Sequence, residues 1–261
     1  MERKLLIVFL ILGLYSSERL HAQSIKTPYF ITSGELIFSQ NNTSFTPEFL
    51  QQYPGAVMSE SRTRFTCFFH LGQYLHYDFS DNFGLFTGLA IRNVGMITDE
   101  TLPQTVTLTG ADVAYSNYKI IRRQYTLGLP LAIKLGSFGK HFYFFGGAEY
   151  EMAFHFKEKF WTDTWDRSGS KTKSTQWFAD QTPLFLPSAF AGVQFPGGFN
   201  LRFKYYLTDF LDNNYKVSKN SQDGSTYSIS DLSRYQESQV FYLSLCWQFN
   251  SSFFTKGFGK K

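Results

Sequence analysis

Apolar and polar residues alternate along eight separate stretches of this chain. In the last stretch large apolar side chains occupy every second position, and smaller or polar residues such as Ser244 and Gln248 stand between them. Neighbouring residues of a β-strand point to opposite faces, so this period of two predicts strands with one apolar and one polar face. The predicted strands are Tyr29–Gln40, Arg62–Phe79, Phe83–Ile97, Tyr118–Leu135, His141–Phe156, Pro183–Phe195, Phe199–Leu211 and Gln239–Asn250.

The connections between these strands are alternately long and short. Three are tight, at residues 80–82, 136–140 and 196–198, and are built from Gly, Asn, Asp and Pro, which favour turns. Short turns at one end, long loops at the other and an even number of strands are typical of outer-membrane barrels. The long connections are rich in Ser, Thr, Asn, Asp and Lys and cover about 41–61, 98–117, 157–182 and 212–238.

The alternation alone does not determine which face of the strands contacts water. A soluble lipocalin-like barrel that binds an apolar ligand would show the same pattern with its apolar face inward. However, the apolar faces often hold five or six large residues in succession, which suits the 9–11-residue strands that cross a bilayer. The polar faces mix Gly, Ala and Ser with charges, as a narrow lumen requires. We therefore predict an all-β fold, a single antiparallel up-and-down transmembrane β-barrel of about eight strands, and keep the soluble barrel as the alternative.

The N-terminus has the plan of a secretory signal peptide. Basic residues precede an apolar run from Leu5 to Tyr15, and polar residues and His21-Ala22-Gln23 follow it. The run is too short for a spanning helix. We predict a signal peptide over residues 1–22, Sec-type export with cleavage, and one outer-membrane β-barrel domain over residues 23–261.

Composition narrows the class of protein. Aromatic residues make up 19% of the chain and charged residues only 18%, while the mean hydropathy is −0.22. Aromatic girdles at the two membrane interfaces account for such a combination, whereas a helical membrane protein would be more apolar. A net charge of +4 is too small to indicate nucleic-acid binding. Cys67 and Cys246 are predicted on opposite faces of the wall, which argues against a disulfide between them.

Two segments carry a family resemblance. Residues 62–95, RTRFTCFFHLGQYLHYDFSDNFGLFTGLAIRNVG, and residues 122–136, RRQYTLGLPLAIKLG, resemble the PorT-like outer-membrane β-barrel proteins of the Bacteroidetes. In that group a strand with an arginine, an aromatic residue and a leucine-proline-leucine run followed by a lysine recurs. The resemblance implies an outer-membrane location. Some members of the group are implicated in protein secretion, whereas many have no assigned role, so a link to secretion is one expectation for this chain.

The polar faces carry the residues most able to do chemistry. Glu149 and Glu151 lie two apart on one strand face, a spacing that could serve acid/base catalysis. A structural network is the favoured interpretation, because buried charges persist when they are paired. The predicted lumenal charge network comprises Arg64, Arg92, Arg122, Lys134, Glu149, Glu151, Arg202 and Lys204.

Three further patterns have structural explanations. His70, His76 and Asp78 share a strand face, but the last two lie beside a short turn, away from the rim that would meet external substrates. Residues 136–140 lack the spacing of a phosphate-binding loop and fit a hairpin turn better. We therefore predict no catalytic, cofactor-binding or metal-binding residue. Exposed tryptophans can bind glycans or proteins, and those of the third long connection are Trp161, Trp165 and Trp177.

The predicted function is a non-enzymatic integral outer-membrane barrel with a structural or accessory role in the envelope. Outer-membrane lipid is the expected partner, together with envelope or secretion-machinery proteins, and no cofactor or nucleic acid is expected. Two alternatives stay open: a binding or adhesion barrel that acts through its long loops, and a membrane enzyme acting on lipid or protein.

Overall fold

The computed structural model describes residues 27–58, 62–67, 70–104, 113–162, 167–217 and 228–250. The predicted signal peptide and Trp165 lie outside the described residues. Antiparallel strands dominate the described chain, and one short helix, α1 (Pro47–Gln52), begins behind the N-cap Thr46. No helix among the described residues is long and apolar enough to cross a membrane. The strands are β1 (Tyr29–Phe45), β2 (Val57–Met58), β3 (Arg64–Thr66), β4 (Leu71–Asp78), β5 (Phe83–Pro103), β6 (Tyr115–Ser137), β7 (Phe142–Thr162), β8 (Lys171–Trp177), β9 (Phe185–Gln194), β10 (Phe199–Tyr206) and β11 (Tyr235–Asn250).

Eight of these strands close into a ring. The order is β1, β4, β5, β6, β7, β9, β10 and β11, every neighbouring pair is antiparallel, and β11 pairs with β1 along nearly its whole length. Closure leaves no unpaired sheet edge within the ring. The strands β2, β3 and β8 pair with β5, β1 and β7 at the end that carries the long loops. The prediction of an antiparallel up-and-down barrel of about eight strands is confirmed.

The polarity of the wall is that of a membrane barrel. On the outside, Leu129, Leu131 and Leu71 are exposed over 58–64% of their surface, while Lys134 and Thr126 on the inside are fully buried. A protein in water does not leave long rows of leucine and phenylalanine uncovered, because their burial is the main driving force for folding. The exposed apolar residues form a band around the barrel, as lipid contact requires. The soluble alternative with an apolar interior is therefore wrong.

Five strands of the ring extend further toward the long-loop end than the sequence pattern predicts, whereas β10 ends at Tyr206 and not at the predicted Leu211. β5 runs to Pro103, β6 starts at Tyr115 and β7 runs to Thr162, so residues assigned to loops belong to the wall. The backbone ladder continues there although the outer face has become polar and the alternation is weak. The reverse holds for the predicted strand Arg62–Phe79. It breaks after Thr66, where the ring of His70 accepts from the Asn93 amide and fills the gap.

A bulge in β7 moves one predicted lumenal residue to the outside. Tyr125 pairs with His155 and the next residue, Thr126, pairs with Ala153, so Phe154 is the extra residue. Beyond it the parity of β7 is reversed. The alternation along the predicted strand His141–Phe156 puts His155 on the lumenal face with Glu149 and Glu151. This expectation is wrong, because the bulge turns His155 outward, where its ring packs against Trp177 with centroids 4.8 Å apart.

The lumen is filled by alternating apolar and charged side chains. Near the short turns, aromatic residues including Phe86, Phe145 and Phe190 pack together. Toward the long loops a larger apolar cluster includes Ile37 and Phe156. Charged residues lie between and beyond these layers, which places the ionisable groups of the lumen in three separate clusters.

Candidate functional site

The central cluster of the lumen lies between the two apolar layers. Arg92 joins three carboxylates: its Nε atom is 2.8 Å from Glu35 and its Nη1 atom contacts Glu149 and Glu151. Lys204 bridges Glu149, at 2.8 Å, and Glu151. Arg202 adds a third cation 3.9 Å from Glu35. Three carboxylates thus face three cations, and the charges balance. The cluster comprises Glu35, Arg92, Glu149, Glu151, Arg202 and Lys204.

Hydroxyl groups complete the central cluster. Tyr206 donates to Glu151 at 2.9 Å and Ser244 donates to Glu35 at 2.6 Å, while Arg92 donates to the Tyr74 hydroxyl at 3.1 Å. Buried carboxylates are tolerated when their oxygens are satisfied in this way. Gly128 makes room for the network, because a side chain there would collide with the Glu149 carboxylate.

A short-turn cluster closes the other side of the aromatic layer. The Lys134 ammonium is 2.5 Å from Asp78 and donates to the Tyr29 hydroxyl at 2.8 Å, and it also contacts His76 Nδ1. Its nitrogen lies 4.5 Å from the centre of the Phe138 ring. Asp78 therefore neutralises Lys134 and His76 helps to enclose it, which gives both residues a structural role.

A long-loop cluster lies above the apolar band. Glu100 accepts from Tyr235 at 2.5 Å and lies 3.2 Å from Arg234, and Arg122 is 2.6 Å from Glu158. Burial disfavours the charge on Glu100, but the cations Arg234 and Arg122 outweigh it and hold the pKa of this carboxyl below its usual range. This cluster is also balanced, with two carboxylates and two guanidinium groups.

Seven of the eight residues predicted for one lumenal network lie inside the barrel, but they belong to these three clusters. Arg64 belongs to none of them. It donates to the Asn93 side chain at 2.8 Å across the gap between β3 and β5, and lines a groove on the outside. The predicted network also lacks residues that the structure adds. The charged partners missing from the predicted network are Glu35, Asp78, Glu100, Glu158 and Arg234.

The catalytic alternatives find little support in this geometry. Glu149 and Glu151 are each held by two cations, so neither is placed to exchange a proton with a substrate. His70 contacts Thr66 and the Asn93 backbone. Among the described residues no three His, Cys, Asp or Glu side chains are arranged to hold a metal. Cys67 and Cys246 are free thiols.

Comparison with known proteins gives likenesses of structure only. No protein-family model matches the chain, and no curated protein sequence matches it, so the resemblance to the PorT-like proteins stays a prediction. Similar solved structures include Ail, the attachment invasion locus protein of Yersinia pestis, with 11% identity and a TM-score of 0.31 over 85% of this chain and 98% of that chain. Neisserial surface protein A has 10% identity and a TM-score of 0.34, over 86% and 99%. The outer membrane protein OprG of Pseudomonas aeruginosa has 12% identity and a TM-score of 0.34, over 87% and 98%. The fold assignment rests on the closed ring of strands.

Proposed function

We propose that this chain is a non-enzymatic integral outer-membrane barrel with a closed lumen and an accessory role in the envelope. The observation that carries this proposal is the filled interior, in which balanced charge clusters alternate with aromatic layers. All the cations of the central cluster are paired with its carboxylates. The Arg202 guanidinium carbon also lies 5.3 Å from the centre of the Phe190 ring. A lumen of this kind favours a rigid plug over a pore or a reaction chamber.

Three measurements test the closed membrane barrel. Unboiled protein should migrate differently from boiled protein on a denaturing gel, and the native protein should be recovered with the outer membrane. In a planar bilayer it should carry no steady current, because buried charged and apolar side chains fill the lumen. Stable porin-sized currents from folded protein would contradict the plug, and recovery in the soluble periplasm would contradict the location.

The link to protein secretion comes from the resemblance to the PorT-like proteins alone. Cross-linking in intact cells followed by purification in native detergent should recover stoichiometric envelope partners if the barrel is part of a secretion machine. Recovery of the barrel without partners would favour a role that the barrel performs by itself.

A binding role through the long-loop end is the second candidate. It is favoured by one observation: β7 continues beyond the apolar band and pairs with β8 to form a projecting hairpin, from Lys157 to Trp177. All of the β8 side chains are exposed. If the folded barrel binds a surface and a variant without this hairpin folds but no longer binds it, the result would support the second candidate over the first.

A further inference from the structure

On the outer face of β6, β7 and β8, the side chains change from apolar to aromatic to basic toward the long-loop end. Each change falls on a row of residues that are paired across the strands. The apolar band of β6 ends near Leu127. The next outward-facing row is aromatic, because Tyr125 pairs with His155 and His155 with Trp177. One further step of two residues, about 7 Å along the strands, brings Arg123 opposite Lys157. Aromatic girdles mark the interface of membrane barrels, so this basic row lies at the depth of lipid headgroups.

The basic character continues over the next rows. Lys159 pairs with Lys173, and Trp161 pairs with Lys171. Arg167 lines the same outer groove as Lys157 and Lys159. We call these side chains the basic flank, which comprises Arg123, Lys157, Lys159, Arg167, Lys171 and Lys173.

A groove of about 750 Å³ runs along the basic flank toward β3. Its far wall is formed by Arg64 and Phe65, and its floor includes Asn93 and Tyr125. Among the described residues that line it, five are arginine or lysine and none is acidic. The groove thus combines an excess of cations with aromatic and aliphatic surface.

The charges of the basic flank are not neutralised by the described chain. Glu158, which stands between Lys157 and Lys159 in the sequence, points inward to Arg122. On the adjacent outer face of β5, Asp99 is engaged by Arg62 and Lys119, which lie outside the flank. Lys157 is partly withdrawn from water and surrounded by Arg123, Lys173 and Lys159, which together lower its pKa to about 8. The Arg123 Nε atom is buried without a hydrogen-bond partner. A bound anion would relieve this repulsion and supply the missing acceptor.

The opposite wall of the barrel shows that the flank is not a belt around the molecule. Directly above the apolar band, β1 presents Gln40 and Asn42 on its outer face, and β11 presents Gln239 and Glu237. Asn42 donates to Glu237 at 3.2 Å. At this depth the outer face of the wall is neutral to acidic on one side and strongly basic on the other. An asymmetry of this kind favours a partner that binds at one place over a general attraction to the membrane surface.

We propose that the basic flank binds the phosphate groups of a phosphorylated lipid headgroup in the leaflet adjoining the long loops. The acyl chains would lie along the apolar band below, and the sugar or glycerol of the headgroup would contact Tyr125 and Trp177. Charge complementarity and the depth of the rows support a lipid, because a soluble anion gains nothing from the apolar surface next to the site. This inference rests on the proposed membrane location.

The test uses refolded full-length barrel in neutral detergent and native mass spectrometry with lipid A as the probe. The bis-phosphorylated form should be retained more strongly than the monophosphorylated form. Lys157→Gln combined with Lys159→Gln should weaken retention about tenfold or more, since each cation near a headgroup contributes to binding. The matched control is Lys140→Gln combined with Lys216→Gln, which removes the same charge from exposed positions elsewhere and should leave retention unchanged.

The outcomes separate this inference from the proposed function. Equal weakening by both double variants, or equal retention of the two lipid forms, would overturn the lipid site. Pyrophosphate or a sulfated polysaccharide that binds as tightly as the lipid would assign the groove to a soluble anion or a glycan and would also overturn it. Gel mobility is measured on the same samples. Wild-type protein that shows no heat-dependent shift would contradict the proposed membrane barrel and not only the lipid site.

Discussion

The Lys157 amine is the group whose chemistry departs most clearly from that of an ordinary surface side chain. Its pKa is lowered to about 8 by partial burial and by the cations Arg123, Lys173 and Lys159. Because the folded-state pKa lies below the usual value of about 10.4, the charged form opposes folding. This cost is fully present below about pH 8 and disappears as the pH rises toward 10.4.

Lys157 should therefore be acylated faster at pH 8 than the exposed reference lysines Lys140 and Lys216, because its lowered pKa leaves a substantial fraction of its amines neutral at that pH. Peptide mapping by mass spectrometry after a short exposure to an amine-reactive ester measures the rates. The variant Arg123→Gln removes a neighbouring charge and should slow the reaction at Lys157 severalfold. Equal rates at the three lysines would show that the repulsion is absent.

A second prediction at this scale concerns the polarity of the wall. Leu131 is exposed over 63% of its surface within the apolar band, so Leu131→Arg should cost about 2–4 kcal/mol of folding free energy in lipid. Leu131→Met keeps the size without the charge and should fold normally. Asn42→Arg lies outside the band and beside Glu237, so it should also be tolerated. Folding yield into vesicles gives the comparison, and equal yields for both arginine variants would contradict the assignment of the lipid face.

At the scale of the element, β7 performs two tasks divided by its bulge. Up to Met152 it pairs with β9 and closes the ring, and beyond Phe154 it pairs with β8 outside the ring. Only the first segment lies in the apolar band. The β8 arm of the projecting hairpin therefore adds surface without contributing to closure, whereas the β7 arm still pairs with β6.

Shortening the hairpin should leave the barrel intact. Lys159 lies opposite Lys173, so the two can be joined by an Asn-Gly turn in place of residues 160–172. Glu158 and its contact with Arg122 are retained. The shortened protein should show the same heat-dependent gel shift as the wild type and a similar folding yield. A loss of the shift would show that the hairpin is needed for ring closure.

At the scale of the whole molecule, the even number of strands brings both ends of the described barrel to the side of the short turns. β1 begins and β11 ends there, since Ile31 pairs with Asn250. The long loops and the basic flank then lie on the opposite side. For an exported outer-membrane barrel that side faces outward.

The orientation can be checked by cysteine labelling on intact cells. In a background lacking Cys67 and Cys246, a cysteine replacing Ser168 at the long-loop end should react with an impermeant reagent, and one replacing Ser137 at a short turn should react only after lysis. Labelling of the two positions in the reverse order would invert the orientation and would place the basic flank on the periplasmic side.

The sequence by itself determined the strands, their number and which side chains share a face. For six of the eight predicted strands, the predicted first residue lies within three residues of the first residue of the corresponding strand in the ring. The lumenal positions of Arg92, Lys134 and Glu149 follow from parity alone. The reason is local: successive side chains of a strand must alternate, whatever the strand pairs with. The tight turns are also local, since Gly197 and Gly198 adopt the positive φ angles that their sequence favours.

Only the tertiary structure decided what depends on a partner across the ring. The division of the lumenal charges into three clusters follows from the register of strands far apart in the chain, as in the contact of Arg92 on β5 with Glu35 on β1. The bulge at Phe154 and the gap that Arg64 bridges depend on the neighbouring strands, and no local sequence pattern predicts them. The basic flank likewise joins Arg123, from a predicted strand, to lysines and Arg167 from a predicted long connection. No sequence pattern brings them together, because closeness between strands is a property of the sheet and not of the segment.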